Sequence, residues 1–161
     1  MDFAKHQLNS KLKHKDNSRF FKRLKKIKSS CLDNAIQSLH YEVFENTNCL
    51  ACANCCKTTS PMFTDKDIIR VAKYLRLKPS VFFDKYLKTD EDKDYVLKSL
   101  PCIFLLKDNS CSIYKVRPKA CREFPHTNRR KQSQLLKLTE KNVEVCPAVY
   151  EIIEKLKEEL V

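Results

Sequence analysis

Apolar residues recur at helical spacing over much of the chain, and this pattern predicts most of its regular structure. Between Phe20 and Phe44 they lie three and four positions apart, and Ser29-Ser30 divides the stretch into two predicted helices. The residues that share these faces are Phe20, Leu24, Ile27, Leu32, Ala35, Ile36 and Leu39. Residues 1–18 are polar and lack such a period, which predicts a flexible arm.

Capping signals predict further helices later in the chain. Thr64 and Asp67 have the spacing of a capping box and precede an apolar stripe. Pro79 and Pro118 each predict the first turn of a short helix, and Cys146-Pro147 precedes the last helix. The predicted apolar positions are Ile68, Ile69, Val71, Ala72 and Leu75 in the capped helix and Val149, Ile152, Ile153, Leu156 and Leu160 in the last one.

A β-hairpin is predicted from two short apolar runs, Cys102–Leu106 and Cys111–Tyr114. Asp108-Asn109 separates them, and Asn109 is expected in the left-handed turn position. Residues 126–142 are basic and polar, which predicts a surface connection.

The predicted fold class is therefore α-rich with a small β-hairpin, in a small metal-stapled single domain that carries an N-terminal helical extension. We expect a basic flexible arm at residues 1–18, a helical segment at 19–46 and a cysteine-cluster metal-binding domain at 47–161.

The composition excludes some classes of function. Glycine is absent from all 161 residues. Phosphate-binding loops and dinucleotide fingerprints need glycine for close backbone approach, so neither is present. The net charge is +12, and residues 1–28 hold ten Lys/Arg against two Asp. If eight thiolates bound two divalent ions, part of this basic excess would offset the negative charge of the metal site.

The expected compartment affects how the cysteines are interpreted. The first residues lack an apolar segment of the secretory type, and no stretch approaches the ~18 apolar residues of a membrane span. We therefore expect a cytoplasmic protein without a membrane partner, because thiols persist in that reducing compartment. Nine cysteines would suggest disulfides in a secreted chain, but in the cytoplasm they indicate metal binding.

Eight of the nine cysteines lie between Cys49 and Cys146, and four are packed into Cys49–Cys56. The Cys-x-x-Cys spacing lets two sulfur atoms turn toward one ion while nearby amides donate to the thiolates. The predicted ligands are Cys49, Cys52, Cys55, Cys56, Cys102, Cys111, Cys121 and Cys146. Cys31 lies outside this set and is predicted to be a buried helix residue.

The spacing leaves the identity of the metal open. Four thiolates suit tetrahedral zinc, whereas Cys49-x2-Cys52-x2-Cys55 with a remote Cys146-Pro147 is similar to iron–sulfur cysteine patterns. The eight thiols could furnish two four-thiolate sites or one polynuclear cluster. Cys55 and Cys56 could bind two different ions, or one of them could merely pack. The expected cofactor is therefore zinc or iron, including an iron–sulfur cluster.

The combined motifs resemble the YkgJ-type cysteine-cluster family, which is described as a zinc- or iron-chelating domain. They are Cys49-x2-Cys52-x2-Cys55-Cys56, Pro101-Cys102-Ile-Phe-Leu and Cys111-Ser-Ile-Tyr-x2-Arg117-Pro118-x2-Cys121-Arg122-x-Phe124-Pro125. The resemblance implies metal chelation by the matching cysteines rather than a particular reaction. A related cluster occurs in flagellin lysine methylases. The family often has glycine at the position of Ala53, so a tight turn there would require Ala53 to accept an unfavourable backbone geometry or a different loop shape.

Two arginines lie within the motifs that carry this resemblance. Arg117 and Arg122 are predicted to donate to thiolates and to reduce the negative charge of the metal site. The alternatives are that they clamp an anionic substrate or pair with surface carboxylates. His126 could replace a cysteine as ligand or serve as a base, but eight thiols already saturate two ions.

Three functions follow from these observations. The favoured one is chelation of zinc or iron by the eight-cysteine array. The alternative is a metal- or iron–sulfur-dependent group-transfer enzyme, by analogy with the methylases. The second alternative is a nucleic-acid-associated factor that uses the basic N-terminal arm, and separately Lys25-Lys26 and Arg129-Arg130-Lys131 could meet phosphates. This last function is less favoured, because no aromatic residues are interleaved with the basic runs and solvated surfaces explain them more simply.

Overall fold

The computed structural model describes residues 3–160, and helices dominate it. Met1 and Asp2 of the predicted arm, together with Val161, lie outside the described residues. In chain order the elements are α1 (Phe3–Leu12), α2 (His14–Leu24), α3 (Ser29–Glu45), α4 (Cys49–Cys52), α5 (Asn54–Thr58), α6 (Asp65–Tyr74), α7 (Pro79–Tyr86), β1 (Leu87–Thr89), β2 (Tyr95–Leu97), a 3₁₀ turn at Tyr114–Val116, α8 (Lys119–Glu123), α9 (Gln132–Val145) and α10 (Pro147–Glu159).

The chain forms two compact units. The first unit combines the N-terminal part up to Asn48 with the segment from Pro125 onward, and the second is Cys49–Phe124. The prediction of an α-rich chain with one small hairpin is confirmed. In the part of the chain that the structure describes, no helix combines the length and apolar character needed to span a bilayer.

The core of the first unit is made mostly by helices that apolar spacing predicts. The break at Ser29 divides α2 from α3, and Pro147 is at the start of α10, as expected. Helix α10 packs against both α3 and α9. The buried apolar residues are Phe20, Phe21, Leu24, Leu32, Ile36, Leu39, Val43, Leu136, Val143, Ala148, Val149, Ile152, Ile153 and Leu156.

The start of the chain is helical rather than irregular, which corrects the expectation for residues 3–18. Helix α1 packs against α9 and α10, and α2 packs against α9. The inward-facing positions include polar side chains, namely His6, Ser10 and Asn17. His6 Nε2 donates to the carbonyl oxygen of Val143 at 2.8 Å. Because this face is polar, apolar periodicity does not reveal it.

The expected surface connection at residues 126–142 is also wrong, because most of it belongs to α9. Its buried positions have helical spacing but are partly polar. They are Gln132, Leu136, Thr139, Asn142 and Val143. Asp33 of α3 caps the start of the helix by accepting the backbone N–H of Lys131 at 2.9 Å and of Gln132 at 2.7 Å.

Cys31 is exposed, contrary to its predicted burial. The buried face of α3 is formed by Leu32, Ile36, Leu39 and Val43. Cys31 precedes the first of these residues and is therefore turned about 100° away from that face.

The second unit is built around α6 and α7. Thr64 and Asp67 form the predicted capping box, and Pro79 is at the start of α7 as expected. Ile68, Val71 and Ala72 are buried, but Ile69 is exposed and does not belong to the core stripe. The other buried apolar residues of this core are Phe63, Phe82, Leu87, Leu97, Phe104 and Ile113.

The hairpin is not where the sequence pattern predicts it. Strands β1 and β2 pair antiparallel, with Leu87 opposite Leu97. The expected hairpin between Cys102 and Tyr114 is reduced to a single bridge from Leu105 to Cys111. The backbone N–H of Leu105 donates to the carbonyl of Cys102 at 3.0 Å, and this local turn replaces an extended strand. Asn109 adopts the predicted left-handed conformation, with φ of 64°.

Two leucines of α9 provide a test of its buried face. Leu136→Ala should lower the free energy of unfolding by about 3 kcal/mol, because Leu136 is buried in the core of the first unit. Leu138→Ala is the matched control, since Leu138 is 39% exposed, and it should cost less than about 0.5 kcal/mol. Urea unfolding followed by circular dichroism measures both changes. Equal losses would contradict the assigned helix face.

Candidate metal centre

Three segments of the second unit carry seven of the eight predicted ligands. Helices α4 and α5 carry the first four cysteines, the irregular segment after β2 carries two, and α8 carries the last. These residues are Cys49, Cys52, Cys55, Cys56, Cys102, Cys111 and Cys121. Cys49 is exposed, and the other six are half-buried. None of the nine cysteines, all of which fall within the described residues, forms a disulfide.

A left-handed residue joins the two cysteine-bearing helices α4 and α5. Ala53 has φ of 48° and ψ of 21°, so it adopts the unfavourable geometry that a tight turn demands at a position without glycine. The sulfur atoms of Cys55 and Cys56 lie 4.0 Å apart. Two thiolates on one tetrahedral zinc ion, each about 2.3 Å from it, would be separated by about 3.8 Å. The adjacent pair is therefore spaced as two ligands of the same ion would be.

Hydrogen bonds attach the second cysteine segment to the first. The backbone N–H of Cys102 donates to the carbonyl of Cys56 at 2.8 Å. The Asn109 side-chain amide donates to the carbonyl of Leu50, also at 2.8 Å. The single bridge between Leu105 and Cys111 holds the two ends of this segment together. Cysteines that lie 46 to 62 residues apart in sequence are thus held on one framework.

The carboxylate of Asp67 holds the third segment in place. It caps α6 through the backbone N–H of Thr64 at 3.0 Å and accepts the backbone N–H of Lys119, the first residue of α8, at 3.1 Å. It also accepts a hydrogen bond from Arg70. Arg70 in turn donates to the carbonyls of Val116 at 3.3 Å and Arg117 at 3.0 Å. Asp67 and Arg70 together therefore fix the chain immediately before Cys121.

The electrostatics indicate that Cys56 lies at the centre of the thiols. Its hydrogen bond with Cys55 lowers the pKa of Cys56 to about 7, and the charge of Lys57 acts in the same direction against the effect of burial. Burial raises the pKa values of Cys49, Cys102 and Cys111, and the charge of Cys56 raises them further. Such mutual effects arise when the sulfur atoms are near enough for their charges to act on one another.

Cys121 is the thiol whose ionisation is most strongly opposed. Burial raises the pKa of Cys121 to about 12, and the charges of Cys56, Cys102 and Cys111 contribute to this rise. The positive charge of Arg117 works against the increase in pKa at both Cys111 and Cys121. A cation that bound between these sulfur atoms would favour their ionised forms much more strongly than Arg117 does.

The two predicted arginines lie beside this group of thiols but occupy different positions. Arg117 stacks on Tyr114, with 3.9 Å between its guanidinium carbon and the ring centre, and donates to the Tyr114 carbonyl at 2.8 Å. Arg122 donates to the carbonyl of Arg117 at 2.9 Å. Arg117 therefore acts on the thiols through its charge, whereas Arg122 supports the backbone that carries Arg117.

Cys146 and His126 belong to the first unit. The backbone N–H of Cys146 donates to the carbonyl of Asn142 at 2.8 Å, and its half-buried side chain packs against that unit's core. His126 has a left-handed backbone, with φ of 70°, and its carbonyl accepts a hydrogen bond from the Gln132 side chain at 2.8 Å.

The seven thiols of the second unit fit the soft ligand chemistry of zinc and iron. Within residues 3–160, however, no three His, Cys, Asp or Glu side chains are arranged so that they could hold an ion directly. A shared metal would therefore require a different arrangement of these thiols.

Asp67 and Arg70 are important residues that the cysteine pattern did not identify. The capping-box spacing placed Asp67 at the start of a helix but gave no sign of its bond to Lys119, which is 52 residues further along the chain. Arg70 lies three positions after Asp67, a spacing typical of helical ion pairs, and this was the one available signal.

Asp67→Asn should lower the free energy of unfolding by about 3 kcal/mol at neutral pH, because it removes one partner of a buried ion pair. The Asp67 side chain is 1% exposed. Burial raises the pKa of Asp67, but hydrogen bonds from Thr64, Arg70 and Lys119 outweigh it, so the folded-state pKa is below the usual value. The stabilisation is complete above the unfolded pKa of about 3.9 and disappears as the pH falls through the lower folded pKa.

Urea unfolding at a series of pH values measures this effect. The stability difference between wild type and Asp67→Asn should shrink in acid. Asp65→Asn, at an exposed position in the first turn of the same helix, is the matched control and should change stability by less than about 0.5 kcal/mol. A difference for Asp67→Asn that is the same at every pH would contradict this role.

A glycine comparison tests the strain at Ala53. Glycine relieves about 1 kcal/mol of left-handed strain at residue 53, and this gain offsets the loss of a buried methyl group and the added chain entropy. Ala51→Gly in α4 gains no such relief. Ala53→Gly should therefore leave the protein about 1 kcal/mol more stable than Ala51→Gly does in urea unfolding. Equal effects would argue against strain at Ala53.

Comparisons with known proteins agree with the chemistry of these thiols. An uncharacterized protein of Methanocaldococcus jannaschii, MJ0661, is 32% identical over 97 residues, which cover 56% of this chain and 52% of that protein. The chain thus spans about half the length of this curated relative. No solved structure matches the chain. Residues 48–147 match the CxxCxxCC family model, described as "Putative zinc- or iron-chelating domain". The chain therefore belongs to the CxxCxxCC family.

Proposed function

We propose that this protein chelates zinc or iron through its eight-cysteine array. The ligands are Cys49, Cys52, Cys55, Cys56, Cys102, Cys111 and Cys121 of the second unit, with Cys146 as the eighth. Family membership supports the chelation of one of these metals. The proposal extends to the individual ligands, and if the metal is iron it includes an iron–sulfur cluster among the forms that the site could take.

The backbone N–H of Cys102 donates to the carbonyl of Cys56 at 2.8 Å, and the observation that carries the proposal is this meeting of cysteine segments at Cys56. Its charge raises the pKa of four other thiols, from three separate segments of the second unit. The 4.0 Å separation of the Cys55 and Cys56 sulfur atoms adds a pair already spaced for one ion. Thiols that only filled space in a core would have no reason to gather from distant segments with such mutual effects.

A bound metal would stabilise the folded second unit. Ligands that converge on an ion only in the folded chain convert the binding free energy of the metal into folding free energy. Arg117 is placed to offset part of the thiolate charge at Cys111 and Cys121, and Arg122 holds the backbone of Arg117. The proposal includes a reducing compartment such as the cytoplasm, in which nine free thiols would persist.

Metal content provides the first test. Protein purified without air should contain at least one equivalent of zinc plus iron, and eight thiolates would saturate about two four-coordinate ions. Elemental analysis measures the content, and visible absorbance from sulfur-to-iron charge transfer distinguishes an iron–sulfur cluster from colourless zinc. Less than about half an equivalent in a folded protein with free thiols would contradict the proposal.

A matched pair of cysteine variants provides the second test. Cys56→Ser should lose at least about half of the bound metal and lower the unfolding midpoint by several degrees, because it removes the central thiol. Cys31→Ser is the control, since Cys31 is exposed on α3 and lies outside the proposed ligand set. It should retain the metal content and the unfolding midpoint of the wild type. If both variants lost the same amount of metal, the proposed division of the cysteines would be wrong.

A further inference from the structure

Two basic runs about a hundred residues apart in sequence come together in the first unit. The carboxylate of Asp33 accepts the backbone N–H of Lys131 at 2.9 Å and that of Gln132 at 2.7 Å. The Ser29 and Ser133 hydroxyl oxygens lie 3.4 Å apart. These contacts place the start of α9 beside the start of α3, so the run before α9 adjoins the run before α3.

The charged side chains at this junction are exposed to solvent. We call them the joined basic surface, and they are Lys25, Lys26, Lys28, Arg130 and Lys131. Within the described part of the chain, none of these five side chains forms an ion pair with a carboxylate.

Some other cations of the same unit are paired with carboxylates. Lys155 pairs with Glu42 at 2.8 Å, and Lys157 pairs with Asp16 and Glu154, each at 2.7 Å. These pairs are what a solvated helix surface with mixed charges is expected to form. The joined basic surface therefore holds a concentration of positive charge that the protein itself does not neutralise.

The surroundings of this surface distinguish among anionic partners. The apolar face of α2, formed by Phe20, Phe21 and Leu24, is buried in the core and cannot enter a lipid bilayer. Residues 22–28 and 129–131 contain no aromatic ring on which an unpaired base could stack. Charge without apolar or aromatic contacts suits the regularly spaced phosphates of a nucleic-acid duplex.

We propose that the joined basic surface binds the phosphate backbone of a nucleic-acid duplex without sequence preference. This function is separate from metal chelation, because it uses residues of the first unit that contribute no thiol. Counterion release makes such binding steeply dependent on salt. For each phosphate contacted on DNA, the logarithm of the binding constant falls by about 0.9 for every tenfold rise in salt concentration.

Fluorescence anisotropy with the full-length metal-loaded protein and a labelled DNA duplex of roughly 24 base pairs tests this proposal at several salt concentrations. The double variant Lys25→Gln with Lys26→Gln should reduce the steepness of this salt dependence by about 1.8 and the affinity for the duplex by about tenfold or more. Arg130→Gln with Lys131→Gln should have the same effect. Lys66→Gln with Lys73→Gln removes equal charge from exposed positions of the second unit and should leave both quantities close to wild type.

The variant Asp33→Ala distinguishes the effect of holding the two basic runs together from the effect of net charge on binding. Removal of a negative charge alone would tighten binding to phosphate, whereas release of Lys131 and Gln132 from α3 should weaken it. Weaker binding with unchanged helix content supports the joined surface, and tighter binding overturns it. If the variant loses helix content, the two charge-neutralised pairs decide the question.

Several outcomes would overturn the proposal. These are an absence of salt-dependent duplex binding, an equal loss in the Lys66 and Lys73 control, or a preference for single strands over duplex. Charge-dependent binding to phosphatidylserine vesicles without duplex binding would identify a lipid surface as the partner instead. Metal content measured on every variant should stay at the wild-type level, which keeps this result independent of the chelation proposal.

Discussion

The constraint on which this fold most depends is that a chain without glycine must still turn. Six residues within 3–160 have a left-handed backbone, namely Ala53, Arg76, Lys93, Asn109, His126 and Lys131. Asparagine tolerates this conformation, but each of the others costs about 1 kcal/mol, or about 5 kcal/mol together. A typical domain is stable by only about 5–15 kcal/mol. Contacts around each turn must therefore offset a cost that is comparable with the whole net stability.

Neighbouring side chains provide this compensation at two of the turns. The Asp90 carboxylate accepts the backbone N–H groups of Asp92 and Asp94 on either side of Lys93, and Asp33 holds the backbone of Lys131. Ala53 has only a methyl group, and its turn is closed by a backbone hydrogen bond from Cys56 at 3.1 Å. Thiols lie on both sides of this turn, at Cys52 before it and at Cys55 and Cys56 after Asn54. A shared metal ion would therefore provide at this turn the stabilisation that carboxylates provide at the others.

The sequence predicted those parts of the structure whose buried faces are apolar. Helices α3, α6 and α10 follow from the spacing of residues such as Leu32, Val71 and Ile152, and the capping box fixed the start of α6. Helices α1 and α9 were missed because Ser10, Gln132 and other polar side chains occupy their buried faces. The resemblance to the family indicated thiol chemistry, but the bond from Lys119 to Asp67 depends on tertiary structure that local spacing does not encode.

The two units use their positive charge in different ways. In the second unit, Lys57 lowers the pKa of Cys56, and Arg117 opposes the rise in pKa at Cys111 and Cys121, so its cations act partly on its own thiols. Thiolates around a metal would keep a net negative charge. The nearby cations would neutralise part of this charge, and the remainder would repel a phosphate. The proposed polyanion would therefore bind to the first unit, where Asp33 holds two basic runs together and the five side chains of the joined basic surface lack a carboxylate partner among the described residues.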